Sequence, residues 1–338
     1  MKEVVHMKLS ILDPSSVSQG QTSRQALDVS RQLAVLADKW GYTRYWMTEH
    51  HGMSGFASSA PEVLLSYMGA HTAKIRLGTG AVLLPYYKPY KVAEVHCTLA
   101  SLFPDRIDLG IGRAPGGPAE ASLALSDHYL QQVWHMPEHV KELLDFLYSP
   151  VQGKPAVFPV PPVAPQAWLL GTSEKSASLA AEQGMFYAYA DFMSENNGAE
   201  IVQHYRDHFK SSEHHASAHV IVAVSAVCAD TSEKAEDIAW SGLVWSIQKE
   251  KGEGDEGVPS IEEARAYSLN EGEAEKIAKM KDGMIIGTPS EVVARLRSIQ
   301  TLHQADEMMI ITTTYLAEDK LRSYELIAKK VLKEHSFE

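Results

Sequence analysis

The sequence predicts an α/β chain folded as a (β/α)8 TIM barrel, on three observations. Eight short apolar runs recur along the chain. Amphipathic helical patterns separate them, as expected of a parallel sheet covered by helices. At 338 residues, 45% of them hydrophobic, the chain has length and core material for one such barrel. An open doubly wound sheet shares the alternation, so periodicity alone leaves both arrangements standing.

The elements follow in order. A strand at Lys8–Leu12 leads to a helix over Ser23–Lys39, which Ser23 or Thr22 can cap. Thr43–Met47 precedes a helix at Pro61–Thr72, and Ile75–Leu84 one at Tyr90–Leu102. Arg106–Ile111 is followed by Asp127–Tyr148, Ala167–Leu170 by Glu174–Gln183, and Met185–Tyr189 by Ala199–Lys210. Val220–Ala229 leads to Ser232–Gln248. Thr288-Pro289-Ser290-Glu291 starts a helix to His303 with a cap, a proline in the first turn and an acid behind it. The eighth strand is Glu307–Thr313, and Glu318–Lys333 closes the chain.

Two segments break the rhythm. Val151–Gln166 carries Pro155, Pro159, Pro161, Pro162 and Pro165 and reads as an extended loop. Residues 249–287 are charged and glycine-bearing, with one or two short helices at most. Within a single domain spanning 1–338, this insertion is expected to be a mobile lid over the barrel mouth.

Charge and cysteine usage exclude whole classes. The formal net charge is −12, so no basic excess exists to neutralise nucleic acid or an anionic membrane. Cys97 and Cys228 are the only cysteines and fall in patterns that bury them, which suits a reducing cytoplasm. Met1 to Leu12 has no long apolar stretch of the signal-peptide kind, and no run of about 18 apolar residues occurs.

Three constellations carry chemistry. The first is Glu49-His50-His51, directly after the second strand. Barrel enzymes keep their reactive groups at the C-terminal ends of strands, and a His pair beside a carboxylate handles protons near neutral pH. The plain alternative is packing at a strand end or an interface. The second is Gly110-Ile111-Gly112-Arg113-Ala114-Pro115-Gly116-Gly117. Pro115 occupies the third glycine position of a dinucleotide fingerprint and no clear helix starts there, so that reading fails. Arg113 suits a phosphate, or else a neighbouring carboxylate. The third is Gly171-Thr172-Ser173-Glu174-Lys175-Ser176, where a strand runs into a helix. Free N–H groups and hydroxyls there can hold an anion, or Thr172 or Ser173 can simply cap the helix. In addition, Gly78-Thr79-Gly80-Ala81 puts small residues inside a strand, as a flat ligand would require.

Together these pieces resemble the bacterial luciferase-like family of flavin-dependent monooxygenases, most nearly its single-subunit branch. The resemblance rests on Glu49-His50-His51, on Leu77-Gly78-Thr79-Gly80 leading to Pro85, and on Asp105 through Arg113. Gly171-Thr172-Ser173 with Ser176 completes it, and Gly287-Thr288-Pro289 matches the family's end. It implies a barrel with FMN at the C-terminal face. His50 is then the catalytic histidine, with Glu49 and His51 as its neighbours. Gly78, Thr79, Gly80 and Ala81 lie under the flavin, with a cis peptide at Gly80–Ala81. Gly112, Arg113, Gly171, Thr172, Ser173 and Ser176 hold the cofactor and its phosphate. Where luciferase has a cysteine near the flavin this chain has Gly112, so neither light emission nor an alkanal substrate is carried over. The implied reaction uses reduced FMN from a separate flavin reductase, and O2, to oxygenate a small organic substrate, in a cytoplasmic homodimer. Two rivals share the barrel: a deazaflavin-dependent oxidoreductase and a non-catalytic flavin-binding protein. A metal-dependent hydrolase lacks a ligand set at the strand ends. His204 and His208, at i and i+4, and the similarly spaced His135 and His139, read as surface residues, and His214-His215 as part of a polar loop.

Overall fold

A computed structural model describes residues 7–149, 153 and 155–332. Ten strands are present among them: β1 (Lys8–Asp13), β2 (Arg44–Met47), β3 (Arg76–Thr79), β4 (Val82–Leu83), β5 (Ile107–Gly112), β6 (Gln166–Gly171), β7 (Phe186–Ala190), β8 (Val220–Cys228), β9 (Ile285–Gly287) and β10 (Glu307–Ile311). All pairings between them are parallel. β10 pairs with both β1 and β8, which closes the sheet into a barrel and removes the open-sheet alternative. β3 and β4 share one wall position, so the barrel has eight staves. β9 pairs only with the far end of β8.

Side chains alternate between two cores. Leu12, Trp46, Trp168, Ala188, Ile221, Ala223 and Met309 fill the barrel interior. The opposite faces of the strands, including Leu9, Tyr45, Leu77, Leu109 and Leu169, pack under the helices. At the N-terminal end the interior is plugged by charge. Arg44 donates to Asp108 at 2.8 Å and to Glu307 at 3.1 Å, Arg76 donates to Asp108 at 2.8 Å, and the Trp46 indole donates to Asp108 at 3.0 Å. Burial alone would raise the Glu307 carboxyl. The Arg44 charge, with hydrogen bonds from His219, Ser10 and Arg44, outweighs that and holds it at about 2.

The structure changes several expected elements. Ile75–Leu84 is not one strand, because it breaks at Gly80–Ala81, whose peptide is cis as the resemblance implies. Asp127–Tyr148 divides into Tyr129–Trp134 and Met136–Tyr148, the second restarting on Pro137, and a helix at Ala119–Leu125 was not anticipated. Thr22 rather than Ser23 caps the first helix, in a capping box with Gln25. The segment 249–287 holds two α-helices, Ile261–Ala266 and the longer-than-expected Glu271–Gly283, started by capping boxes at Ser260 and Asn270. Its beginning rests on loops at the barrel mouth: Ser54 donates to the Asp255 carbonyl at 2.6 Å and Ser18 bridges Val258. His215 lies in the expected polar loop but is buried against Phe186, with Nδ1 2.8 Å from the Gly184 carbonyl. Residues 150–152 and 154 of the proline-rich loop, and Lys333, lie outside the described residues.

Candidate active site

Leaving β2, the chain turns over the C-terminal rim and is tied down at each step. His50 N–H donates to the Ser58 carbonyl at 2.8 Å and His51 N–H to that of Gly116 at 2.9 Å. The Glu49 carboxylate is 3% exposed and fully engaged. Its Oε1 accepts from Tyr87 Oη and lies 2.7 Å from His51 Nε2, and its Oε2 accepts from the Leu83 N–H at 3.0 Å. Burial pushes the Glu49 pKa up, although His51, Tyr87 and Leu83 all favour the charged form. Glu49 therefore braces the loop against β4.

His50 is placed differently. Nδ1 lies 2.9 Å from Thr48 Oγ1, and Nε2 has no hydrogen-bond partner among the described residues. Its ring stacks on Phe56, with centroids 4.1 Å apart and planes within 11°. Burial, then the charge of Lys249, then that of His51 pull its pKa down to about 4. The imidazole is neutral at pH 7, with Nε2 left for proton chemistry.

The cis Gly80–Ala81 peptide sits beside this loop, because the Gly80 N–H donates to the Met47 carbonyl at 2.7 Å. Leu83 is in register with Gly112, and a Cβ on Gly112 would come 3.1 Å from that of Ala81. Ala81 and Gly112 thus adjoin at the rim, whereas a Cβ on Gly80 would point at Leu12 and Trp46. Gly78 and Thr79 have another role. A Cβ on Gly78 would strike the Trp46 indole, and Thr79, 0% exposed, donates through Oγ1 to the Gly110 carbonyl at 2.8 Å. Their size serves the tryptophan-filled interior, so the flat-ligand reason given for these two is replaced by packing.

The third group gathers one strand further on. Ile111 is in register with Leu169, so Gly112-Arg113 and Gly171-Thr172-Ser173 leave neighbouring strands at the same rim. Arg113 is exposed and makes no ion pair among the described residues, which removes its carboxylate alternative. Thr172 Oγ1 is likewise unengaged. Ser173 and Ser176 form a reciprocal capping box, and Ser176 Oγ also lies 3.0 Å from Tyr187 Oη. Gly171 has no room for a Cβ because Ser176 folds back onto it. A free guanidinium, an unengaged hydroxyl and a helix start beside a side-chain-poor floor are the donor set and shape that FMN needs, so the residues present fit it.

Among aromatic residues considered for the mouth, Phe56 and Tyr87 contact the His50 and Glu49 side chains, and Tyr86 meets the His51 ring edge-on at 5.9 Å. Tyr189 is buried, its hydroxyl donating to Ser194, and Phe192 packs against the barrel interior. Sequence reasoning missed Thr48, Trp245 and Lys249. Trp245 and Lys249 are one turn apart on the helix Ser232–Glu250, a spacing that would have flagged a shared face. His204 and His208 stack on each other, and no group of three metal-ligating side chains exists among the described residues. No helix among them is long and apolar enough to cross a membrane.

Residues 7–304 match the family model described as luciferase-like monooxygenase. The chain belongs to this family. It is 41% identical to the uncharacterized protein YwcH of Bacillus subtilis, over 95% of this chain and 98% of that protein. It is 37% identical to the N-acetyl-S-alkylcysteine monooxygenase of the same organism, over 96% and 98%. The crystal structure of apo-MsnO8 superposes with a TM-score of 0.87 at 32% identity, covering 97% of this chain and 98% of that one. The protein is accordingly a flavin-dependent monooxygenase by family.

Proposed function

We propose that this protein is the oxygenating component of a two-component system that uses FMN reduced by a separate enzyme. The observation that supports the reading is that β2, which leads into His50 with its Nε2 unpartnered among the described residues, is tied at Met47 to the cis Gly80–Ala81 peptide, with Gly112 adjoining Ala81 at the same rim. Arg113 and Thr172, one strand along, would hold the phosphate, with Ser173 and Ser176 shaping the helix start. Bound reduced FMN supplies two electrons, so that one oxygen atom of O2 passes to the substrate and the other leaves as water. His50 Nε2 holds or gives the proton this requires, and Thr48 fixes the ring. Glu49 positions His51 and the loop rather than reacting. Phe56, Tyr86 and Tyr87 wall the space and exclude water.

The first substrate class to test is thioethers of the N-acyl-S-alkylcysteine type, on which the 37% identical relative is named to act. A cytoplasmic homodimer completes the reading, with the exposed Val63 and Tyr67 on one helix offering apolar surface to a second copy.

The test supplies a flavin reductase, NADH, FMN and 18O2, with N-acetyl-S-methylcysteine and N-acetyl-S-benzylcysteine as probes. A product carrying one 18O atom, dependent on reduced FMN, is expected. Turnover with the reduced deazaflavin in place of FMN, and none with FMN, would assign the rival chemistry instead.

A further inference from the structure

Lys249 occupies an unusual place. It stands at the end of the helix Ser232–Glu250, where that helix meets the loop after β2. Trp245, one turn earlier, lies against Gly55 of that loop, and its indole donates to the Gly254 carbonyl at 3.0 Å. The Lys249 ammonium lies 3.9 Å from the Trp245 ring centroid and 5.0 Å from that of Phe56. Phe56 in turn stacks on His50. A cation is therefore layered on two aromatic faces, next to the proposed proton-handling histidine.

No carboxylate closes this charge. The Lys249 ammonium makes no ion pair and no hydrogen bond among the described residues. Glu250, whose charge acts on it, is itself exposed and paired with Lys276. Burial lowers the Lys249 pKa to about 8, so it remains charged at neutral pH while poorly hydrated. Its side chain is half-buried, so part of it is open to solute. A partly desolvated cation without a counter-ion is a receptor for an anion. In the proposed arrangement the flavin phosphate is held instead by Arg113 and Thr172, which follow β5 and β6.

We propose that Lys249, backed by Phe56 and Trp245, binds a carboxylate of the substrate and thereby selects small acidic substrates. This deepens the monooxygenase reading and rests on it for the identity of the pocket. The aromatic faces hold the ammonium in place and offer apolar contact to the substrate's carbon chain. A carboxylate bound there also offsets the Lys249 charge, which after burial is the next cause holding the His50 pKa down.

The test is calorimetric and independent of turnover. FMN-loaded protein is titrated with N-acetyl-S-methylcysteine, N-acetyl-S-benzylcysteine and N-acetylmethionine, each set against its primary carboxamide. Wild type is compared with Lys249→Met, which keeps the packing, and Lys249→Arg, which keeps the charge. At least one acid is expected to bind wild type roughly tenfold to a hundredfold more tightly than its amide, the range for one charge-assisted hydrogen bond. That preference should vanish in Lys249→Met and persist in Lys249→Arg. Absence of any acid preference across the three pairs, or its survival in Lys249→Met, overturns the proposal. An acid preference without oxygenation of these probes leaves the carboxylate site standing and refutes the thioether substrate alone.

Discussion

His50 has one ring nitrogen committed to Thr48 and the other without a partner among the described residues, whereas both carboxylate oxygens of Glu49 are engaged. The two neighbours in sequence thus do different work. His50→Ala should leave FMN binding within a few-fold, because the phosphate residues leave other strands. Turnover should fall by roughly 10²–10⁴, the range for a lost acid/base, with reducing equivalents escaping as hydrogen peroxide. Product yield and peroxide, measured together, check this, and unchanged values would make His50 structural. The proposed phosphate role of Arg113 is open to the same kind of test. Arg113→Ala should raise the Kd for FMN roughly tenfold to a hundredfold and alter riboflavin binding far less. Equal weakening of both ligands would mean that Arg113 does not read the phosphate. At this scale Glu49-His50-His51 and Arg113 were legible because they follow strand ends. Lys249 and Trp245 were not, because the fold brings them to His50 across about 200 residues.

Strands and helices obey more local rules, and most of them could be read directly. Most strand pieces, and the capping-box helix starts at Thr22, Ser173 and Thr288, match the expected spans within a few residues. The misreadings have physical causes. The third stave looked continuous because its apolar run does not register a cis peptide between two small residues. The helices Ile261–Ala266 and Glu271–Gly283 were undervalued because their charge hid the S-x-x-E and N-x-x-E start signals at Ser260 and Asn270. The glycines of the strands were read as ligand space. Gly78 instead makes room inside the barrel for Trp46, and Gly110, outside that run, makes room for the Thr79 carbonyl. Gly110→Ala should therefore destabilise the fold by about 1–3 kcal/mol, as overpacking does, before it affects the cofactor site. Denaturant unfolding decides this, and a wild-type midpoint would show that the wall yields freely.

On the scale of the whole molecule, barrel closure follows from eight repeats only because β10 returns to β1, which no local pattern states. The closed shell also buries ionisable groups far from the site. His96 is 1% exposed, with Nδ1 on the Val92 carbonyl and Nε2 unpaired, and burial pulls its pKa down to about 4. Between pH 6.5 and about 4 the unfolded chain takes up a proton there that the folded chain refuses. Stability from this histidine is thus full above pH 6.5 and is lost as the pH falls. The depression corresponds to roughly 3 kcal/mol across that window. His96→Leu should flatten the acid side of the stability curve by up to about that amount, measured by denaturant unfolding at pH 7 and near pH 4.5. An unchanged slope would place the acid sensitivity elsewhere. The central claim is that the rim around His50 and the cis Gly80–Ala81 peptide holds FMN, and a crystal structure of the protein with FMN tests it most directly. The account predicts the flavin ring over Gly80–Ala81 with His50 Nε2 facing it, and the phosphate between Arg113 and Thr172. A ring bound away from the cis peptide, or a phosphate that leaves Arg113 free, would contradict it.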